Sequence, residues 1–246
     1  MKKNIKIGSS ITFLDSVDST NNYTAKLIHE RNIENGQVIM ADFQGEGRGQ
    51  RGSAWYSERG KNILASVYLE LDNLSVQNQL TLSKYVAVSI FETLLSLGLQ
   101  PKIKWPNDIL VNDKKICGIL IENQFSGQKI KSSIIGFGLN VNQENFDLDN
   151  VTSIKNELGV EQERMSILGI LINCFNQNLE LLLNNSNYIE DIYLKNLYKI
   201  NQQADFFSNK LGDFQGIITG IDSDGKIQIS TNEGLYSFDI KELKYC

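Results

Sequence analysis

A short loop rich in glycine and arginine is the first segment of this sequence that could bind an anion. Residues 45–52 read GEGRGQRG, so four glycines lie among Arg48 and Arg51. Glycine lets backbone N–H groups approach an anion closely, and arginine presents a planar fork of donors to phosphate or carboxylate oxygens. Taken alone, the loop fits a flexible surface hairpin equally well.

The same loop matches two nucleotide-binding patterns only superficially. Residues 47–52 fit G-x-G-x-x-G, but that pattern needs a helix to open at its last glycine. Here SAWYSERGKN leads into a strand-like segment at Asn62, and no Gly-Lys-Ser/Thr follows the loop. We therefore exclude a dinucleotide-binding fold and a P-loop.

A second segment, residues 104–122, brings lysine, amide and carboxylate groups together in KWPNDILVNDKKICGILIE. Turns are predicted at residues 106–107 and 112–113, which makes the segment a hairpin. Strict alternation in the strand that follows places Lys115 on a mostly apolar face. The other members of that face are Cys117, Ile119 and Ile121. A lysine there is poorly solvated unless an anion meets it, although a strand-end lysine that extends its ammonium to water is the commoner case.

A third segment, IIGFGLNVN at residues 134–142, alternates large apolar residues with glycine and asparagine. One face consists of Ile135, Phe137, Leu139 and Val141, and the other of Gly136, Gly138, Asn140 and Asn142. Glycines inside a strand mark close approach of a ligand or of another backbone. Packing against a helix explains them as well, provided that the asparagines find partners.

Composition limits the kinds of protein that this chain can be. The formal net charge is −5, so no global positive field exists to hold duplex DNA. The three cysteines, Cys117, Cys174 and Cys246, lack metal-like spacing and favour reduced thiols. The single histidine, His29, falls in a predicted helix and is given no catalytic role. No window is expected to reach membrane-spanning length, and we expect a cytoplasmic protein without a membrane partner.

The elements that must position these groups indicate a sheet with helices. Helices are predicted over 20–33, 75–97, 164–184 and 187–198, and strands over 37–43, 62–71, 101–105, 115–123 and 131–141. From Gly212 onward, short β-like runs between turn signals predict a meander of small strands. The order of elements predicts an α/β or α+β sheet domain followed by a small β unit.

Five motifs together resemble the biotin protein ligases in order and spacing. They are DSTN at 18–21, QGEGRGQRGSAW at 44–55, KWPND at 104–108, KKICGILIE at 114–122 and GFGLNVN at 136–142. The similarity covers about residues 12–145, and the remainder agrees in layout. It implies an α+β fold: a mixed sheet with flanking helices, like that of class II synthetases, in a catalytic domain over residues 1–200. A small C-terminal β-barrel over 201–246 would follow.

The resemblance also implies an activity. Such an enzyme uses ATP and biotin to form biotinyl-5'-AMP, with Mg²⁺, and transfers biotin to a lysine of the biotin carboxyl carrier protein domain of a biotin-dependent carboxylase. The catalytic residues it implies are Lys115 and Arg48. Biotin would be bound by Ser19, Thr20, Asn21, Gln44, Arg48, Gly49, Gln50, Lys115 and Gly118. ATP or the adenylate would be bound by Arg48, Arg51, Trp55, Lys104, Asn107, Asp108 and Asn140. The metal ligands stay unassigned, with Asp108 as a candidate for Mg²⁺ or the ribose.

Two departures from the family pattern matter. Gln50 stands where some well-known members have arginine, which puts retention of the adenylate in doubt. The chain also begins almost directly at the catalytic domain, so we expect no helix-turn-helix domain and no DNA partner.

Three alternatives stay open. One is a lipoate ligase or lipoyl transferase, and another is a non-catalytic biotin-binding regulator. The third concerns assembly, because a sheet edge could mediate a homodimer. No residue is identified as the general base for the acceptor lysine.

Overall fold

Two sheets and five helices account for most of the chain in this computed structural model, which describes residues 5–71, 74–75, 79–184 and 187–246. The helices are α1 (Thr20–His29), α2 (Gln79–Ser96), α3 (Ile154–Leu158), α4 (Arg164–Asn184) and α5 (Asn187–Lys195). The strands of the first sheet are β1 (Ile11–Leu14), β2 (Val38–Ala41), β3 (Ile63–Glu70), β4 (Pro101–Lys104), β5 (Asp108–Val111), β6 (Lys114–Ser126) and β7 (Lys129–Leu139). Those of the second are β8 (Gln203–Ser208), β9 (Gly212–Ile221), β10 (Ile227–Thr231), β11 (Gly234–Phe238) and β12 (Leu243–Tyr245).

The first sheet is mixed, in the order β1-β2-β3-β7-β6-β5-β4. Only the β1–β2 pair in it is parallel among the described strands. Helices cover both faces of its centre, which is why β3 is buried on its Ile63 side and on its Leu64 side alike. The α+β prediction is confirmed.

The alternation in β7 is confirmed. Phe137 packs against Phe175 of α4, with ring centroids 5.9 Å apart. On the other face, a Cβ added to Gly136 would collide with the side chain of Asn21 in α1. Glycine at this position therefore makes room for a helix, as the packing explanation requires.

The hairpin over residues 104–122 has its turns at residues 105–107 and 112–113, but it contains a β-bulge. The register passes from Ile109 paired with Cys117 to Leu110 paired with Lys115, so Ile116 is the extra residue. A bulge redirects the side chains beyond it. The predicted placement of Lys115 on the Cys117 face is wrong, because its Cε lies 3.3 Å from where a Cβ of Gly118 would be.

Several predicted boundaries move. The first helix ends at His29 rather than Ile33, since Arg31 adopts a left-handed φ of 55°. Ser75 forms a bridge with Lys129, so the second helix does not begin at residue 75. The described part of that helix starts at Gln79, and residues 76–78 lie outside the described ranges.

The expectation that no segment reaches membrane-spanning length is also wrong. The helix α4 spans 21 residues, with a hydropathy of 1.3 over its most apolar window, and by length and composition it could cross a membrane. In this fold α4 packs along α2: Tyr85 Oη donates to Phe175 O at 3.0 Å, and Asn178 Nδ2 donates to Glu92 Oε2 at 2.6 Å. Its apolar stripe is used as core.

The second sheet is antiparallel, in the order β11-β10-β9-β8-β12, which confirms the predicted C-terminal meander. It contacts the turn between β4 and β5, where Trp105 Nε1 donates to Gly225 O at 3.0 Å. Its first strand begins at Gln203, but the division into domains at residue 200 stays a prediction.

Candidate functional site

A cleft of about 520 Å³ opens over the ends of β5, β6 and β7, beneath the Gly/Arg loop and beside the last strand, β12. The predicted site residues that line it are Ser19, Thr20, Asn21, Gln44, Arg48, Gly49, Gln50, Trp55, Lys104, Asn107, Asp108, Lys115 and Gly118. Motifs that are far apart in sequence therefore converge on one cleft. Arg51 lies in the loop turn Gln50–Gly52, and its side chain is outside the described atoms.

One end of the cleft is lined by hydroxyl and amide groups. Gln44 Oε1 accepts from the backbone N of Thr20 at 2.7 Å and from Thr20 Oγ1 at 3.0 Å. Ser66 Oγ donates to Asn21 Oδ1 at 2.6 Å and lies 2.8 Å from Thr20 Oγ1. The network holds hydroxyl and amide groups in fixed orientations at the start of α1.

Ser66 was missed by the sequence reasoning. It is fully buried in β3 and joins two predicted site residues, Thr20 and Asn21. The one available signal was a hydroxyl in the mostly apolar strand ILASVYLE, because buried polar groups need partners.

The floor of the cleft is the bare backbone of two glycines, covered by Trp55. A Cβ added to Gly118 or Gly138 would collide with the indole. The loop holds the indole there because Trp55 N donates to Gly47 O at 2.8 Å and Arg48 pairs with Ala54. Trp55 Nε1 is buried and has no hydrogen-bond partner among the described residues.

The other end of the cleft is charged. Lys115 Nζ lies 2.7 Å from Asp108 Oδ1 and 5.4 Å from the Trp55 ring centroid. Lys104 Nζ lies 4.8 Å from the Tyr245 ring, and burial lowers the pKa of this lysine. Two ammonium groups and one carboxylate leave this end suited to an anion.

The thiol beside this pair takes no part in such chemistry. Burial raises the pKa of Cys117 far above its usual range, so the group stays protonated.

Arg48 lies away from that end. Its Nη2 donates to Glu122 Oε2 at 2.8 Å. Glu122 is four residues beyond Gly118 along β6, which corresponds to about 13 Å of strand at ~3.3 Å per residue. The two predicted catalytic cations, Arg48 and Lys115, therefore pair with different carboxylates, Glu122 and Asp108, and their shared role stays a prediction.

Two predicted nucleotide ligands have structural partners. Asn140 does not line the cleft: it is buried, and its Nδ2 donates to Thr152 O at 3.0 Å. Asn107 Nδ2 donates to Ile119 O at 2.8 Å, which fixes the turn before β5. Their binding roles stay predictions.

The described residues contain no group of three or more His, Cys, Asp or Glu side chains that could hold a metal ion. Asp108 contributes one carboxylate, and Lys115 already neutralises it. These residues alone do not fit a protein-held Mg²⁺, which prefers octahedral oxygen ligands.

Sequence comparison defines the class of protein. The profile of the Biotin/lipoate A/B protein ligase family matches residues 13–140. The chain is 31% identical over 245 residues to the "Bifunctional ligase/repressor BirA" of Bacillus subtilis (strain 168), covering 96% of this chain and 74% of that protein. The chain belongs to the biotin/lipoate A/B protein ligase family.

Within that family, the relatives point to the biotin branch. A "Biotin--[acetyl-CoA-carboxylase] ligase" of Paracoccus denitrificans is 32% identical over 131 residues, covering 52% of this chain and 53% of that protein. The fold matches the "Biotin protein ligase from Aquifex aeolicus in complex with biotin and ATP" with a TM-score of 0.78, 24% identity, and coverage of 97% of this chain and 100% of that one. At that identity the likeness concerns the fold.

Proposed function

We propose that this chain is an ATP-dependent biotin protein ligase. It would form biotinyl-5'-AMP from biotin and ATP and then transfer biotin to a lysine of an acceptor protein. The observation that carries the proposal is the polarity of the cleft. Uncharged hydrogen-bonding groups around Thr20 lie at one end, and the lysines beside Asp108 lie at the other.

That polarity matches biotin better than lipoate. Biotin has a ureido ring with N–H and C=O groups at one end and a carboxylate at the other. The dithiolane ring of lipoate has no such groups, so it could not exchange hydrogen bonds with Gln44, Thr20 and Asn21, which would stay bonded within the protein. The hydroxyl and amide groups at this end of the cleft therefore favour biotin over lipoate.

The first step joins two anions. A carboxylate oxygen of biotin attacks the α-phosphorus of ATP, the new P–O bond forms, and the bond to the β-phosphate breaks to release pyrophosphate. Lys115, oriented by Asp108, and Lys104 would neutralise the charge that gathers there. Arg48 would join them when the loop closes.

The second step transfers the acyl group. The neutral amine of the acceptor lysine attacks the carbonyl carbon of the mixed anhydride, AMP leaves with the bonding electrons, and the nitrogen loses a proton. No residue is assigned as the base. The loop that carries Trp55 would keep water from the anhydride.

Mg²⁺ enters this proposal as the companion of ATP, bound through the phosphates. Such a mode needs few protein carboxylates. Asp108 is the one candidate ligand from the sequence, and its pairing with Lys115 supports a role in orienting that lysine instead.

We propose that the acceptor is the biotin carboxyl carrier protein domain of a biotin-dependent carboxylase, as the name of the Paracoccus relative indicates. A cytoplasmic location and the lack of a DNA partner are also proposals. The net charge of −5 supports the second. Homodimer formation is a further proposal, for which β1 is the candidate edge of the first sheet, because Ile103 of β4 already pairs with Leu197.

The test supplies α-labelled ATP with either biotin or lipoate and separates the acyl-adenylate by chromatography. Formation of a labelled adenylate with biotin, followed by transfer of biotin to a carrier domain and release of the label as AMP, supports the proposal. An adenylate with lipoate alone supports the lipoate ligase. Binding of biotin without any adenylate supports the non-catalytic regulator.

A further inference from the structure

Glu122 lies towards the far end of β6 and joins the floor of the cleft to the loop above it. A single carboxylate oxygen, Oε2, accepts from Asn21 Nδ2 at 2.7 Å and from Arg48 Nη2 at 2.8 Å. Glu122 ends the motif KKICGILIE, but the predicted site residues do not include it. Its two partners belong to the helix α1 and to the Gly/Arg loop.

The two partners differ in burial. Asn21 is 3% exposed, and its amide also contacts Ser66 and the backbone oxygen of Leu120. Arg48 has a 41% exposed side chain on a glycine-rich loop. Glu122 therefore links the buried start of α1 to the exposed side chain of Arg48.

The Arg48–Glu122 ion pair is weak enough for a ligand to displace it. Both side chains of the Arg48–Glu122 pair are more than one-third exposed, and exposed ion pairs contribute little to stability. A phosphate or carboxylate group can offer arginine a bidentate contact, which is stronger than the single bond to Glu122. An anion in the cleft can therefore take Arg48 from this partner.

We propose that Glu122 is a positioning residue that holds Arg48 in a resting place until an anionic ligand replaces the carboxylate. The separate ion pairs carry the proposal: Arg48 is bound by Glu122, whereas Lys115 is bound by Asp108, which lies opposite Gly118 in the sheet. The inference rests on the proposed function only for the identity of that anion, a phosphate group of ATP.

Trypsin tests the contact without any activity, because it cleaves after Arg48. In the ligand-free protein, Glu122→Gln should raise the rate of cleavage at Arg48–Gly49 about two- to fivefold, the population change that an exposed ion pair supports. Glu46→Gln is the matched control, because it removes the same charge from the same loop. Since Glu46 lies within the segment that trypsin binds, each rate is divided by that of a free peptide with the same loop sequence, and this ratio should not change in Glu46→Gln.

Salt provides a second measurement on the parent protein. Raising the ionic strength screens an exposed pair, so cleavage after Arg48 should accelerate in the parent and stay flat in Glu122→Gln, relative to a small peptide substrate. This measurement decides the question even if the variant does not fold. A flat response in the parent overturns the proposal, as does equal acceleration by Glu46→Gln.

Kinetics separates positioning from a merely structural role. Glutamine keeps a carbonyl oxygen for Asn21 but loses the charge that competes for Arg48, so Glu122→Gln should lower the KM for ATP about two- to fivefold with kcat and the KM for biotin unchanged. Glu122→Ala should also raise the KM for biotin. A higher KM for ATP in Glu122→Gln overturns the proposal.

The two proposals can fail separately. If the parent protein makes no adenylate with biotin, the proposed function fails while the trypsin result still stands. If the parent makes adenylate and cleavage after Arg48 ignores both salt and Glu122→Gln, the positioning role fails and the ligase proposal is untouched.

Discussion

Lys115 Nζ lies 2.7 Å from Asp108 Oδ1, across the hairpin that joins β5 to β6. The β-bulge at Ile116 makes the contact available, because it turns Lys115 towards Gly118 and the cleft. Asp108 sits in register opposite Gly118, so the carboxylate faces the same side. The pair is 30% and 23% exposed, which leaves the ammonium accessible to a ligand.

Lys115→Ala should reduce adenylate synthesis by about 100- to 1,000-fold, the usual cost of removing one group that stabilises developing charge. Lys114→Ala removes an exposed neighbouring lysine and should have little effect. The rate is measured from labelled ATP at saturating biotin. Synthesis by Lys115→Ala at the parent rate would show that this lysine is not at the reacting phosphate.

Gln50→Arg should slow the escape of the biotinyl-adenylate about 10-fold or more, since a hydrogen bond to a charged group is worth about 1.5–3 kcal/mol. Gln50 lines the cleft at the loop turn, where an added guanidinium can reach an anion. The release rate of preformed labelled adenylate is the measurement, with Gln50→Ala as control. Equal release from the arginine and alanine variants contradicts this prediction.

Gly138→Ala should displace the indole of Trp55, because the new methyl group would overlap the ring. We expect a change in tryptophan fluorescence and a loss of adenylate synthesis. Gly169→Ala, in α4, meets nothing within 4 Å and should raise stability by up to about 1 kcal/mol, as alanine does in helices. Unchanged fluorescence in Gly138→Ala would mean that the ring does not rest on this glycine in solution.

Lys104 gives a pH dependence with a defined sign. Burial disfavours its charged form and lowers its pKa, so the ammonium is lost at a lower pH than that of an exposed lysine. The kcat/KM for ATP should therefore fall on the alkaline side, and Lys104→Arg should move that limb to higher pH because arginine stays protonated. Coincident pH profiles would remove Lys104 from the nucleotide end.

The lowered pKa of Lys104 also makes the free energy of unfolding depend on pH. Because the pKa of Lys104 is lower in the folded chain than in the unfolded one, its charged form opposes folding. That cost is fully present below the folded pKa and is relieved as pH rises towards the unfolded value. Lys104→Met should remove this part of the pH dependence in denaturation experiments.

Local patterns predicted most of the elements, because alternation and helical spacing depend on neighbours in the chain. The glycine face of β7 is an example: its period of two was readable before any partner was known. The same reasoning failed for Lys115, since a bulge depends on how β5 and β6 pair and breaks the period.

The same difference between local patterns and tertiary contacts applies to the site. The motifs, through their resemblance to the biotin protein ligases, indicated the family, and thirteen of the site residues that the resemblance implied line the cleft. They could not indicate Ser66, whose importance comes from lying between Thr20 and Asn21. They also could not place Arg48, whose partner Glu122 is 74 residues away in sequence.

The sequence alone therefore determined which chemical groups are present and the order in which the chain delivers them. The folded chain determined which of them meet: Lys115 with Asp108, Arg48 with Glu122, and Trp55 with two bare glycines. The physical reason is the distance along the chain over which each feature is determined. Side-chain direction along a regular strand is set by adjacent peptides, whereas contacts between strands, loop and helix depend on the register and packing of the whole sheet.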